Sequence, residues 1–128
     1  MISKNSHEYR LSMFLAVANH LLHQGRRAVD ENNECVYLSE DGLKCAAGCL
    51  LPEEHYDEDI EGAYVTDEQV IEHFNMAGVN LREQANLDLI RKLQTVHDDS
   101  DPKDWYDKLM DIAADESFVA EDGMVCHV

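Results

Sequence analysis

Apolar residues recur every three or four positions in four segments of the chain, which is the spacing of α-helices that bury one face. In the most regular segment, Trp105, Leu109 and Ile112 fall on one side. The four segments are residues 6–29, 66–78, 80–99 and 99–117. The pattern predicts a mainly α domain of four or more helices.

Residues with strong preferences for helix ends mark where these segments begin and stop. Ser6 is placed to cap the first helix and Gly25 to end it. Thr66 with Gln69 forms a capping box for the second helix, and Asp–Pro at residues 101–102 is typical of a helix start. These local signals agree with the helices that the apolar spacing predicts.

Residues 35–45 lack helical spacing and surround a turn-forming stretch, residues 39–42, that ends in glycine. They predict one small β-hairpin. From Lys44 the residues become small and compatible with a helix, until Pro52 stops it. Because of the hairpin, an α+β fold is the close alternative to the mainly α fold.

Chain length and composition favour one compact domain spanning residues 1–128. The hydrophobic fraction is 45%, and no apolar run reaches the roughly 18 to 20 residues that span a bilayer. The N-terminus lacks the basic-then-apolar order of a secretory signal, so we predict a cytoplasmic protein with reduced cysteines. Residues 118–128 are predicted to form a tail that adds one strand or frays as a flexible segment.

The chain is strongly acidic, and its charge is unevenly distributed. Twenty-seven Asp and Glu against ten Lys and Arg give a formal charge of −17. Residues 1–44 hold six acids and five bases, so nearly all of the excess lies in residues 45–128. Such a charge repels nucleic acid and membrane surfaces and attracts basic proteins, while improved solubility is the plainer interpretation.

Eighteen of the acids lie in two windows, residues 53–68 and 98–122. In the last helix, four aspartates spaced three, four and four residues apart form a stripe on the side away from the apolar residues. If the two windows share one surface, they form an anionic face able to occupy the nucleic-acid-binding groove of a partner. The residues predicted to contact this partner are Glu53, Glu54, Asp57, Glu58, Asp59, Glu61, Asp104, Asp107, Asp111 and Asp115.

A cysteine-containing segment carries the candidate metal chemistry. Cys45 and Cys49 share a face if the segment is helical, and Cys35 with His55 would complete four ligands. The spacing C-x9-C-x3-C-x5-H is not one of the frequent zinc spacings. A zinc site is therefore one interpretation of these residues among three.

A thiol enzyme is the second interpretation. Cys45 at a helix start would have a lowered pKa, with Cys49 beside it and with His97 and Asp98 as base and orienting partner. The third interpretation is packing, because small residues around Gly48 leave a face that another helix can approach closely. We favour packing, which predicts a protein without metal or cofactor.

Two blocks of the chain, "DGLKCAAGCLLPEEHYDEDIEG" and "LQTVHDDSDPKDWYDKLMDIA", resemble those of a family of small bacteriophage and bacterial proteins. That family carries a G-x-K-C-A-x-G-C-L-I-P-D/E-x-x-Y…E-G block and an L-Q-x-x-H-D…W…L block. The matching residues are Gly42, Lys44, Cys45, Ala46, Gly48, Cys49, Pro52, Tyr56, Glu61, Gly62, Leu93, Gln94, His97, Asp98 and Trp105. Leu51 and the stretch "VYLSED" depart from the family pattern. The resemblance implies a phage-type origin and a shared fold, and it implies no particular reaction.

Together these observations predict a non-enzymatic acidic protein, most concretely a phage-type inhibitor in the cytoplasm of a bacterial host. It would bind a basic, nucleic-acid-binding surface of a host protein by mimicry of nucleic acid. We expect no direct binding to nucleic acid or to membranes, and the oligomeric state stays open. The alternatives are a thiol- or zinc-dependent protein and a solvated acidic domain without mimicry.

Overall fold

A computed structural model describes residues 6–118, and these residues form a mainly α fold, which confirms the predicted class. Within this range there are four α-helices: α1 (His7–Gln24), α2 (Glu68–Met76), α3 (Gln84–Asp99) and α4 (Trp105–Asp115). Short 3₁₀ turns lie at Gly48–Leu50, Glu53–His55, Glu58–Ile60 and Pro102–Asp104. None of the helices in residues 6–118 is both long enough and apolar enough to cross a lipid bilayer.

The core lies where α1, α3 and α4 pack against one another. Its largest members are fully buried, as the apolar spacing predicts, and include Phe14, Leu21, Leu93, Trp105 and Leu109. Burying each such side chain stabilises the fold by about 1.5–3 kcal/mol. These three helices therefore form the rigid body that supports the loops between α1 and α2.

The start and end of α1 are set by the residues that the sequence indicates. The Ser6 hydroxyl accepts a hydrogen bond from the Tyr9 N–H at 3.0 Å. Gly25 ends the helix in a left-handed conformation, with φ of 71°, which a residue without Cβ adopts at no steric cost. Residues 25–29 are therefore outside the helix, as the stop signal at Gly25 predicts, and α1 is shorter than the segment 6–29.

The predicted capping box of Thr66 with Gln69 is wrong. Helix α2 begins at Glu68, and its N-cap residue is Asp67. The Asp67 carboxylate accepts a hydrogen bond from the Tyr64 N–H at 3.0 Å, which closes the turn before the helix. The preceding turn thus fixes where α2 starts.

The start of α4 agrees with the prediction. The Asp101 side chain accepts the Lys103 N–H at 3.1 Å, and Pro102 opens a 3₁₀ turn that leads directly into the helix. Beyond α4, Phe118 is buried, and its ring lies 5.3 Å from that of Phe14. The rest of the predicted tail, residues 119–128, lies outside the described residues.

The predicted hairpin lies where expected but consists of isolated bridges. Leu38 pairs with Lys44, and Val29 pairs with Cys35, both antiparallel. Gly42 supplies the positive φ, 86°, that the turn between the first pair requires. No strand longer than these bridges occurs in residues 6–118.

The predicted helix after Lys44 is wrong, because this segment forms only the 3₁₀ turn Gly48–Leu50. The segment lies against α1 and against the backbone of Tyr37. A Cβ placed on Gly48 would stand 2.2 Å from the Tyr37 carbonyl oxygen. Close packing is therefore the role of Gly48, but the neighbour is a loop backbone and not another helix.

Candidate functional site

The two cysteines of the first block are free thiols, with Cys45 in the interior and Cys49 partly buried. Cys45 is fully buried and accepts the Gly48 N–H at 3.2 Å, while Cys49 donates to the Ala46 carbonyl at 3.1 Å. Burial raises the pKa of each thiol to about 12. The predicted lowering of the Cys45 pKa is wrong, because the residue opens no helix and is removed from water.

A chain of hydrogen bonds through the side chain of Gln94 joins the two blocks that carry the family resemblance. Its carbonyl oxygen accepts the Ala47 N–H at 3.0 Å, and its amide donates to Asp98 Oδ1 at 3.0 Å. The same Asp98 oxygen lies 2.7 Å from His97 Nδ1. Residues about fifty positions apart in sequence therefore meet in one polar network.

His97 is fixed in one tautomer by its neighbours. Its ring is fully buried, and Nε2 lies 2.9 Å from the Ala28 nitrogen. Because a backbone N–H can only donate, Nε2 accepts, and the proton of the neutral ring is on Nδ1, which donates to Asp98. Both ring nitrogens are thus engaged, so His97 has no free lone pair with which to act as a base toward Cys45 or Cys49.

The candidate zinc ligands are not gathered at one point. Among residues 6–118, the single group of three metal-binding side chains is Cys35, His97 and Asp98, whose donor atoms lie within 4.8 Å of one another. Cys45 is fully buried and does not belong to this group, and His55 is exposed, its backbone carbonyl accepting a hydrogen bond from the His73 ring. The sequence prediction of a Cys35–Cys45–Cys49–His55 set is therefore not realised by the described geometry.

The Cys35–His97–Asp98 group is also a poor fit for a metal. A metal at Nδ1 would need the lone pair that the proton occupies, and moving that proton to Nε2 would set it against the Ala28 N–H. Burial, followed by the charge of Asp98 and a hydrogen bond from the thiol to it, raises the pKa of Cys35 to about 11. The thiolate that zinc requires is thus disfavoured.

The group lies at the edge of a cleft with a volume of about 560 Å³. Its walls come from residues 34–37, residues 62–66 and one side of α3. The residues that line it include the acids Glu34, Asp98 and Asp99, the exposed Tyr64 and the buried Tyr37. Cys35 and Asp98, two of the candidate site residues, therefore line a concave surface that is open to solvent.

Glu61, predicted to contact a partner, is instead bonded within the fold. Its carboxylate accepts the N–H groups of Tyr37 (2.9 Å) and Leu38 (3.1 Å) and the hydroxyl of Tyr56 (2.7 Å). Desolvation, together with Glu61, raises the pKa of Tyr56. The next residue, Gly62, turns the chain with φ of 83°. The Tyr56…Glu61–Gly62 part of the first block therefore has a structural role.

The other predicted contact residues are exposed, and they form two patches. The first is the turn patch, defined as Glu53, Glu54, Asp57, Glu58 and Asp59. The second is the helix patch, defined as Asp107, Asp111 and Asp115 on α4 together with Asp104, the residue just before the helix. Within residues 6–118 no salt bridge involves either patch. The turn patch adjoins α2 through the bond between His55 and His73, whereas α4 packs on α1 and α3.

Sequence reasoning missed the roles of Gln94 and of the Ala28 N–H. Gln94 is part of the second resembling block, which was the one available signal that it matters. A hydrogen bond from a backbone N–H to a buried histidine ring leaves no trace in a sequence. Comparisons of the chain with protein-family models, with curated proteins and with solved structures each give no match.

The raised pKa values of the thiols predict that these cysteines react slowly with an alkylating reagent. Because the thiolate is the reactive form and the pKa of Cys35 is raised above its ordinary 9.0, this cysteine, although exposed, is expected to react with iodoacetamide severalfold more slowly than a cysteine in a short peptide. Cys45 is expected to be slower still in the native protein. Peptide mapping by mass spectrometry measures both rates, and labelling in urea gives the unfolded control. Rapid labelling of Cys45 in the native protein would support the thiol-enzyme interpretation instead.

Proposed function

We propose that this protein is a non-enzymatic acidic interaction protein whose exposed carboxylates bind a basic surface on a partner protein. The observation that supports it is the helix patch: four exposed aspartates, three on α4 and one just before it, without salt bridges in the described residues and opposite a buried face that begins at Trp105. Carboxylates that have no partner within the fold keep their charge available to another molecule.

The spacing of the helix patch suits a partner that normally holds nucleic acid. Successive aspartates are separated by about 4.5–6 Å along the helix axis, given a rise of about 1.5 Å per residue. Phosphates of one DNA strand follow at about 3.4 Å of axis. The aspartates thus present a row of charges of comparable density. Tyr106, which is half exposed, lies next to Asp107 and adds an aromatic contact of the kind enriched at interfaces.

The origin that the resemblance implies indicates what the partner is. If the chain is phage-encoded, the basic surface belongs to a nucleic-acid-handling protein of the bacterial host, and the complex acts as an inhibitor by occupying that surface. Complementary charge increases the association rate and makes it sensitive to salt.

Neutralising the helix patch is expected to remove binding. We expect an Asp104→Asn, Asp107→Asn, Asp111→Asn variant to retain less than about a tenth of the host protein that the wild type retains from bacterial lysate at about 50 mM salt. For the wild type, retention is expected to fall steeply as salt is raised to about 500 mM. Quantitative mass spectrometry of the bound fraction measures both effects.

A charge-matched variant separates this patch from net charge. Glu31→Gln, Glu40→Gln and Glu83→Gln together change the charge by the same amount at exposed positions elsewhere. We expect this variant to retain the partner as the wild type does. Equal loss in both variants would show that total charge, and not the helix patch, determines retention, and retention that is insensitive to salt would contradict the proposal.

A further inference from the structure

The cleft beside α3 is separate from the helix patch and has the form of a ligand site. Its volume of about 560 Å³ lies within the range of pockets that hold small ligands, roughly 300–1,000 Å³. Residues 34–37 and 62–66 form its rim, and Gln94, Thr95 and Asp98 of α3 contribute to its wall. The cleft is therefore large enough for a side chain of a partner together with part of the backbone that carries it.

The charge of the cleft favours a cation. The described residues that line it include three acids, Glu34, Asp98 and Asp99, and one arginine, Arg91. Arg27 lies near Cys35 but donates to the backbone carbonyls of His97 and Ser100. Arg91 already pairs with Asp88, at 3.5 Å, one turn earlier on α3. Within residues 6–118 no salt bridge neutralises Glu34 or Asp99. A cationic group that enters the cleft thus meets an excess of negative charge.

One of these carboxylates is held in a fixed orientation. Asp98 Oδ1 receives hydrogen bonds from the buried His97 and from Gln94, while about a third of its side chain, 34%, stays exposed. A carboxylate that is already oriented loses little conformational freedom when it binds a ligand, so the interaction is stronger than at a mobile side chain. His97 and Gln94 act here as positioning residues for Asp98.

The exposed aromatic residue on the cleft favours one kind of cation over another. Tyr64 lines the cleft and is 77% exposed, so its side chain is accessible to a ligand, whereas Tyr37 on the same cleft is buried. A guanidinium group stacks on aromatic rings and has five N–H donors in one plane, so it can bond two carboxylates at once, whereas an ammonium is a compact and strongly hydrated charge. Carboxylates beside an exposed ring therefore match a guanidinium best.

We propose that this cleft binds an arginine side chain of the basic partner protein, with the guanidinium on Asp98 and Asp99 and against the ring of Tyr64. The inference rests on the proposed function, and it adds a specific anchor to the diffuse attraction of the helix patch. A metal ion is the competing occupant, but the proton on His97 Nδ1 and the protonated thiol of Cys35 both disfavour it.

The test is a titration of ¹⁵N-labelled protein with N-acetyl-arginine amide, followed by NMR. N-acetyl-citrulline amide, a neutral molecule of nearly the same shape, is the control probe. We expect saturable shift changes at Tyr64, Gln94 and Asp99 with the arginine probe and none that saturate with the citrulline probe.

Asp98→Asn keeps an oxygen that accepts from His97 and Gln94, and we expect it to weaken the affinity for the arginine probe at least about fivefold. Asp99→Asn, at an exposed position, tests the contribution of the second carboxylate to binding of the arginine probe, in a variant that is expected to fold as the wild type does.

Three results would overturn the inference. They are equal binding of the citrulline probe, shift changes concentrated on the helix patch with none at the cleft, and stoichiometric binding of added Zn²⁺ that displaces the arginine probe. The Asp104→Asn, Asp107→Asn, Asp111→Asn variant distinguishes this failure from that of the proposed function, because it is expected to bind the arginine probe as the wild type does. A wild-type protein that gives the arginine titration but retains no partner in a salt-sensitive way would contradict the proposed function alone.

Discussion

Gly48→Ala is expected to lower the free energy of unfolding by about 3 kcal/mol or more. The new Cβ would stand 2.2 Å from the Tyr37 carbonyl oxygen and 3.0 Å from its carbonyl carbon. Because these are backbone atoms, no rotamer change relieves the contact, and the loop that contains residue 37 has to move. The Tyr37 N–H bond to Glu61 and the hydroxyl bond to the Ala63 carbonyl would be disturbed with it. Urea denaturation followed by circular dichroism measures the change.

Gly62→Ala is the matched control for this prediction. Gly62 has a positive φ of 83°, and among residues 6–118 no atom lies within 4 Å of the Cβ that alanine would add, so alanine there meets backbone strain but no clash. The expected loss is about 1–2 kcal/mol. If Gly48→Ala were no more destabilising than Gly62→Ala, the close approach between residue 48 and the Tyr37 backbone would be wrong.

Local signals explain why most helices could be predicted. The cap at Ser6, the stop at Gly25 and the Asp–Pro start at residues 101–102 act within a few residues, so they are readable from sequence alone. The apolar spacing of α4 likewise corresponds to its buried face, from Trp105 to Ala113.

The segment after Lys44 could not be predicted in the same way, because its conformation is decided by tertiary contacts. Its small residues suit a helix in isolation, but here they lie against α1 and the Tyr37 backbone. Helix propensity is a weak preference, and the contacts override it. Since the lowered pKa of Cys45 followed from the helix, both predictions are wrong for the same reason.

The candidate site shows the limit of counting charges. Sequence reasoning grouped Glu61 with the acids of the turn patch, because a carboxylate bound by two backbone N–H groups is indistinguishable from an exposed one in sequence. The exposure of Asp107 and its neighbours on α4 was predictable from helical spacing. The meeting of Cys35, Asp98 and Tyr64 at one cleft depends on how loops fold over α3, and no periodic pattern carries that information.

His97→Phe is expected to destabilise the protein by about 2–4 kcal/mol, although phenylalanine keeps the planar ring and its apolar contacts. The His97 ring stacks on Trp105, with ring centroids 5.8 Å apart, and phenylalanine can retain that contact. It cannot accept the Ala28 N–H or donate to Asp98. A buried donor left without an acceptor costs about 1–3 kcal/mol, and the Asp98 carboxylate loses one of its two donors on Oδ1. Urea denaturation of wild type and variant measures the difference.

Two further substitutions separate the bonds of His97 from the space it fills. His97→Gln can place an amide oxygen near the Ala28 N–H, so it is expected to recover part of the stability that His97→Phe loses. Asp98→Asn keeps an acceptor for both His97 and Gln94, and we expect it to stay within about 1 kcal/mol of wild type. If His97→Phe were as stable as the wild type, the ring would act through packing alone, and Asp98 would have no fixed orientation from which to bind a guanidinium. If Asp98→Asn were the more damaging substitution, its negative charge would be what holds the network together.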